Sequence, residues 1–150
     1  MEDIQRLNLI LEAVNYCKKV RDLGMPSSAY SKALREPIHF LWEIKDGPKE
    51  KSAKYRSLNS VGLQYGNYEL VYDHAIPFKY LKEVLLNDPD LEIATLRLHL
   101  EKHSIACLIT KEEDISLNKI GLNSKMPKNW DGVDPLARYK EAGIEVVVNA

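Results

Sequence analysis

Apolar residues in the first twenty positions recur every three or four places: Ile4, Leu7, Leu11, Val14, Cys17 and Val20. That spacing gathers them on one stripe and predicts an amphipathic helix over 3–23. Gly24 supplies its stop and Pro26 follows. Ser27 or Ser28 caps a second helix through Tyr30, Ala33 and Leu34, which Pro37 breaks or restarts. The segment from Ile38 to Ile44, with Phe40, Leu41 and Trp42, is dense in apolar groups and reads as core, His39 included. A turn at Gly66-Asn67 leads into a strand over 68–73, and Pro77 blocks further pairing. Phe78, Leu81, Val84 and Leu85 mark a short helix. Asp88-Pro89-Asp90 then opens another that runs to about His103, with Leu91, Ala94 and Leu98 on its apolar face.

Ser104 to Ile109 reads as a short strand. Thr110-x-x-Glu113 is a capping box and fixes the start of a helix that ends at Lys119, before Gly121. Near the end, Asp134 caps, Pro135 takes the first helical position, and the helix reaches Ala142 with Gly143 as its stop. A strand from Ile144 to Val148 closes the pattern. There is no repeat or low-complexity tract. The fold class expected is α+β.

At 150 residues the chain is long enough to bury roughly two-thirds of its unfolded surface as one domain over 1–150. It divides into a helical part and basic loop (1–60), a central core (61–127) and a closing helix and strand (128–150). Hydrophobic residues are 45% and charged residues 29%, ordinary for a globular protein. The acidic start Met1-Glu2-Asp3 lacks the features of a signal peptide, and no apolar run reaches bilayer length, so a cytoplasmic location is expected. Cys17 and Cys107 stand far apart in apolar patterns and read as small buried hydrophobes.

A formal charge of −1 argues mildly against tight non-specific nucleic-acid binding. Locally the balance reverses: Lys45, Lys49, Lys51, Lys54 and Arg56 face only Asp46 and Glu50. This stretch reads as an exposed loop, either merely solvated or contacting phosphate, with Tyr55 available to stack. His99 and His103 sit at i, i+4, a zinc-binding spacing, but no third ligand is evident and they read as surface residues.

The residues richest in chemistry are Asp73-His74-Ala75-Ile76-Pro77 at a strand end and Thr110 to Asn118 at a strand–helix junction. A carboxylate and an amide oxygen suit a hard cation, and an imidazole can take a proton from water. Asp73-His74-x-Ile76-Pro77, followed by Leu108-Ile109-Thr110, Asp114, Asn118, Gly121 and Pro127, resembles the HNH nucleases of the ββα-metal (His-Me finger) superfamily. The likeness is clearest with the HNH domain of CRISPR effector nucleases and spans residues 68–127 at most.

That resemblance implies N-terminal helices packed on a ββα-metal finger, and a hydrolase cutting nucleic-acid phosphodiesters, with DNA the expected substrate. It implies His74 as general base and Asp73, Asn118 and Asp114 around one Mg²⁺ or Mn²⁺, with Lys119 at the scissile phosphate. Two features depart from the family pattern. The connection from His74 to Thr110 is longer than a compact finger's, and the family's middle Asn has no better counterpart than Asn87. A homodimer would let two sites cut both strands. The competing readings are a non-catalytic immunity or regulatory partner, and a metal-free nucleic-acid-binding module using Lys49, Lys51, Lys54 and Arg56.

Overall fold

The computed structural model describes residues 1–66 and 69–150 and shows an α+β protein. Its helical half is built from α1 (Asp3–Asp22), α2 (Ser27–Ile38), α4 (Phe78–Leu86) and α5 (Ile93–His103). Leu7, Ile10, Val14 and Cys17 of α1 are buried against Tyr30, Leu34, Leu81, Leu85, Leu96 and Leu100 of the other three. Full burial of each large aliphatic side chain in this set contributes about 1.5–3 kcal/mol. Pro37 does not end α2. The helix runs through it and continues as a π-helical turn, His39–Glu43, whose widened pitch is closed by the Ile44 N–H on the His39 carbonyl at 3.1 Å. Within that turn Trp42 is buried, whereas Phe40 is 62% exposed, so the segment is core on one side only.

A four-stranded sheet forms the second half, ordered β2-β3-β1-β4. The strands are β1 (Tyr55–Ser57), β2 (Leu70–His74), β3 (Ala106–Thr110) and β4 (Val146–Val148). β2 and β3 pair antiparallel, with Asp73 opposite Cys107 and His74 opposite Ala106. β1 runs parallel to β3 and antiparallel to β4. Residues read as a basic loop thus contribute an inner strand, preceded by the one-turn helix α3 (Lys49–Ser52). The turn expected at Gly66-Asn67 and the start of the strand at Tyr68 fall partly outside the described residues.

After β3 the chain enters α6 (Lys111–Lys119) at the capping box: Thr110 Oγ1 accepts from the Glu113 N–H at 3.1 Å, and Glu113 Oε1 accepts from the Thr110 N–H at 2.8 Å. The helix before β3 starts later than the Asp88-Pro89 signal suggests. Its reciprocal cap is Glu92 with Thr95, while the Asp88 carboxylate holds a local turn to the Asp90 N–H. The closing helix α7 is shorter than expected, Ala137–Glu141. No helix among the described residues is long and apolar enough to cross a membrane.

The sheet separates two environments. Val71, Cys107 and Ile109 face α6 and α7, in a cluster with Leu117, Leu122, Tyr139 and Ile144. Tyr72, Ala106 and Leu108 face the other way, toward Ala53 and Tyr65. Because side chains alternate along a strand, each residue of β2 belongs to one side or the other.

Candidate functional site

Asp73 and His74 are neighbours in β2 and face opposite sides of the sheet. On the α6–α7 side, Asp73 Oδ2 accepts from Arg138 Nη1 at 2.8 Å and from the Tyr139 hydroxyl at 2.6 Å. Arg138 is 0% exposed. Its remaining bonds also go to the protein: Nε donates to the Leu122 carbonyl, Nη1 to the carbonyls of His74 and Ala75, and Nη2 to that of Asn123. A fully buried guanidinium is tolerated only when paired and hydrogen-bonded in this way. Asp114 shares this side: burial, then the negative charge of Asp73, pushes its carboxyl above the ordinary value. Asn118 follows one turn later on α6 and is exposed, as is Lys119.

His74 is organised by a different set of groups, on the side facing the helical half. Its Nε2 lies 3.0 and 2.9 Å from the two oxygens of Glu43, the last residue of the π turn. His39, one helical turn back, places Nδ1 2.9 Å from the same Oε1. Ser104 Oγ donates to Oε2 at 2.9 Å, and the Tyr72 hydroxyl reaches Oε1 at 3.4 Å. The Glu43 side chain is only 6% exposed. Burial works against its charge, but hydrogen bonds from His74, His39 and Ser104 outweigh that cost and hold the carboxyl at about 2, below its ordinary 4.5. Burial likewise opposes the charged form of His74, and the Glu43 carboxylate overcomes it, raising the imidazole above its ordinary value.

An ionised carboxylate only accepts hydrogen bonds, so both bonded ring nitrogens carry protons. His39 Nε2 and His74 Nδ1 are left over, and no protein group among the described residues bonds either one. The His39 and His74 side chains are 17% and 30% exposed. Two cations are placed near this side. Lys49 Nζ sits 5.5 Å from the centre of the Tyr72 ring, which packs edge-on against both imidazoles at 5.9 and 5.7 Å. Arg35, on the last turn of α2, is close enough for its charge to oppose protonation of His74.

Residues expected to share one site are therefore divided. Asp73 and Asp114 lie on the α6 side with Asn118 on the same helix, and His74 lies on the other. Lys49 of the basic stretch joins His74. Arg56 instead points its guanidinium at Ser60 Oγ and at the carbonyls of Ser60 and Leu63, and Lys54 stacks on Tyr55. Lys51 is exposed. Asn87, the weak counterpart of the family's middle Asn, ends α4 and lies 3.4 Å from Arg21 Nη1.

The divalent ion implied by the HNH likeness does not fit this arrangement. The positive charge facing Asp73 is already supplied by Arg138, and His74, the base that the likeness implies, is turned to the opposite face. Among the described residues no group of three or more His, Cys, Asp or Glu is arranged to hold a metal ion. His99 and His103, read as surface residues, are half-buried. His99 bonds Asp88 at 3.3 Å, and the two rings stack at 6.3 Å.

Glu43 and Ser104 carried no functional expectation from sequence. A signal for Glu43 exists in His39-x-x-x-Glu43, an imidazole and a carboxylate at helical spacing inside an apolar stretch. Compared with family models, curated proteins and solved structures, the chain matches none.

Proposed function

We propose that this protein is a hydrolytic or transesterifying enzyme that cleaves nucleic-acid phosphodiesters, with His74 as a proton-transfer group. The observation that supports it is one shielded carboxylate, Glu43, orienting two partly exposed imidazoles, with Lys49 over the adjoining Tyr72 ring and the charge of Arg35 felt at His74. Proton transfer needs an imidazole whose tautomer is fixed and whose second nitrogen is free, and a phosphodiester needs neighbouring positive charge. The oriented imidazoles and the nearby positive charge support this reading. The metal-dependent version, with Mg²⁺ held by Asp73, Asp114 and Asn118, draws its support from the sequence resemblance alone.

The test is cleavage of plasmid DNA and of a mixed-sequence RNA by the wild type, His74→Gln and Glu43→Gln, with and without Mg²⁺. Loss of a general acid or base costs roughly 10²–10⁴-fold. We expect that loss for His74→Gln, with circular dichroism unchanged. Wild-type protein that cuts neither polymer under any metal condition would instead favour a non-catalytic binding partner.

A further inference from the structure

The cluster around Glu43 has two imidazoles and an exposed aromatic ring at its edge. Phe40 is 62% exposed on the same π turn, and its ring centre lies 5.0 Å from that of His39. Exposed aromatics beside cationic groups are the stacking platforms on which single-stranded nucleic acids lay their bases. Resting on the phosphodiesterase reading, we propose that the substrate is single-stranded RNA, cleaved through its own 2′-hydroxyl by His39 and His74, with a base seated on Phe40.

The chemistry follows from what the site holds and what RNA brings. Attack by water requires the enzyme to deliver and activate a weak nucleophile. RNA carries a nucleophile next to the phosphorus, and such intramolecular placement is worth effective molarities of about 10⁵–10⁸ M. His39 donates Nδ1–H to Glu43, so its free Nε2 takes the proton from the 2′-hydroxyl. The 2′-oxygen forms a bond to phosphorus as the bond from phosphorus to O5′ breaks. O5′ takes its proton from His74 Nδ1. The products are a 2′,3′-cyclic phosphate and a 5′-hydroxyl, and exchange with water restores both imidazoles. Lys49 and Arg35 offset the charge gathering on the phosphoryl oxygens. Glu43 acts as a positioning residue. Its one Oε1 lies 2.9 Å from His39 Nδ1 and 3.0 Å from His74 Nε2, which holds the two rings next to each other.

The experiment uses the full chain, in EDTA and separately in Mg²⁺, with three matched single-stranded oligonucleotides: RNA, DNA, and RNA with every 2′-hydroxyl methylated. We expect cleavage of the RNA alone, with 2′,3′-cyclic phosphate ends seen by mass spectrometry. His39→Gln and His74→Gln should each lower the rate by roughly 10²–10⁴-fold. Phe40→Ala, a change at an exposed position, should raise KM about tenfold with kcat little changed. Cleavage of DNA or methylated RNA, or cleavage that requires Mg²⁺, overturns the RNA inference and leaves the phosphodiesterase reading standing. Absence of any cleavage overturns both. If His39→Gln or His74→Gln fails to fold, the ends left by the wild type and the methylated substrate still decide.

Discussion

The two sides of β2 handle charge in opposite ways. On the α6 side the Asp73 carboxylate meets a guanidinium and a phenol, and Arg138 directs every one of its bonds into the fold. On the other side Glu43 is as well shielded, yet the imidazoles that satisfy it each keep one nitrogen that no described residue bonds, at a partly exposed edge. An arrangement in which all valences close internally stabilises a fold, whereas one that leaves oriented valences over can act on something else. By that criterion Asp73 belongs to the architecture and His74 is the proposed proton-transfer group, although they are consecutive in the chain.

The largest effect expected from this contrast is on stability. Arg138→Met would leave the half-buried Asp73 carboxylate without its cation and the carbonyls of Leu122, Asn123, His74 and Ala75 without this donor. Breaking a buried pair from one side costs about 3–5 kcal/mol. Urea unfolding of the variant should show a loss of that size, large against the total stability of about 5–15 kcal/mol for a domain. A loss below about 1 kcal/mol would mean that Arg138 is not the keystone of its side, and would reopen Asp73 to another cation.

A smaller and more diagnostic effect lies in the pH dependence of the Glu43 side. Glu43 titrates at about 2 in the fold against an ordinary 4.5, so its contribution is present above 4.5 and is lost as pH falls toward 2. His74 is raised above its ordinary 6.5, so its contribution is full below 6.5 and disappears as pH rises through the folded value. The cluster therefore stabilises most between about pH 4.5 and 6.5. Glu43→Gln should lower the unfolding free energy read from urea titration most in that window, by roughly 1.5–3 kcal/mol for lost bonds to a charged group, and should flatten both limbs. A variant whose stability follows pH as the wild type's does would remove Glu43 as the organiser of His74.

Local signals explain which parts of this picture are legible in the sequence. The start of α6 is readable because Thr110 and Glu113 satisfy each other within four residues. β1 is not, because Tyr55-Arg56-Ser57 is three residues in a charged stretch and becomes a strand only between β3 and β4. The partner of Asp73 is equally hidden, since Arg138 lies 65 positions away with nothing local to announce it. The split between Asp73 and His74, however, follows from strand alternation once a strand is placed over them. The HNH pattern matches residue types along the chain, and the pleat then sends adjacent members of that pattern to different sides.

The smallest expected effect is the one that best separates the two sides. Asn118 is exposed on α6, with no side-chain hydrogen bond among the described residues. Asn118→Ala should therefore change stability by no more than about 0.5 kcal/mol. If chemistry resides at Glu43, His39 and His74, cleavage by this variant should equal the wild type's in EDTA and in Mg²⁺ alike. A cation bound near Asp73 and Asp114 would behave otherwise, because removing an amide ligand weakens the site and makes the remaining activity depend steeply on added Mg²⁺. A titration of Mg²⁺ against rate for wild type and Asn118→Ala thus reads directly which side of β2 meets the phosphate. Parallel, metal-independent curves assign it to His74, and a rightward shift in the variant assigns it to Asp73.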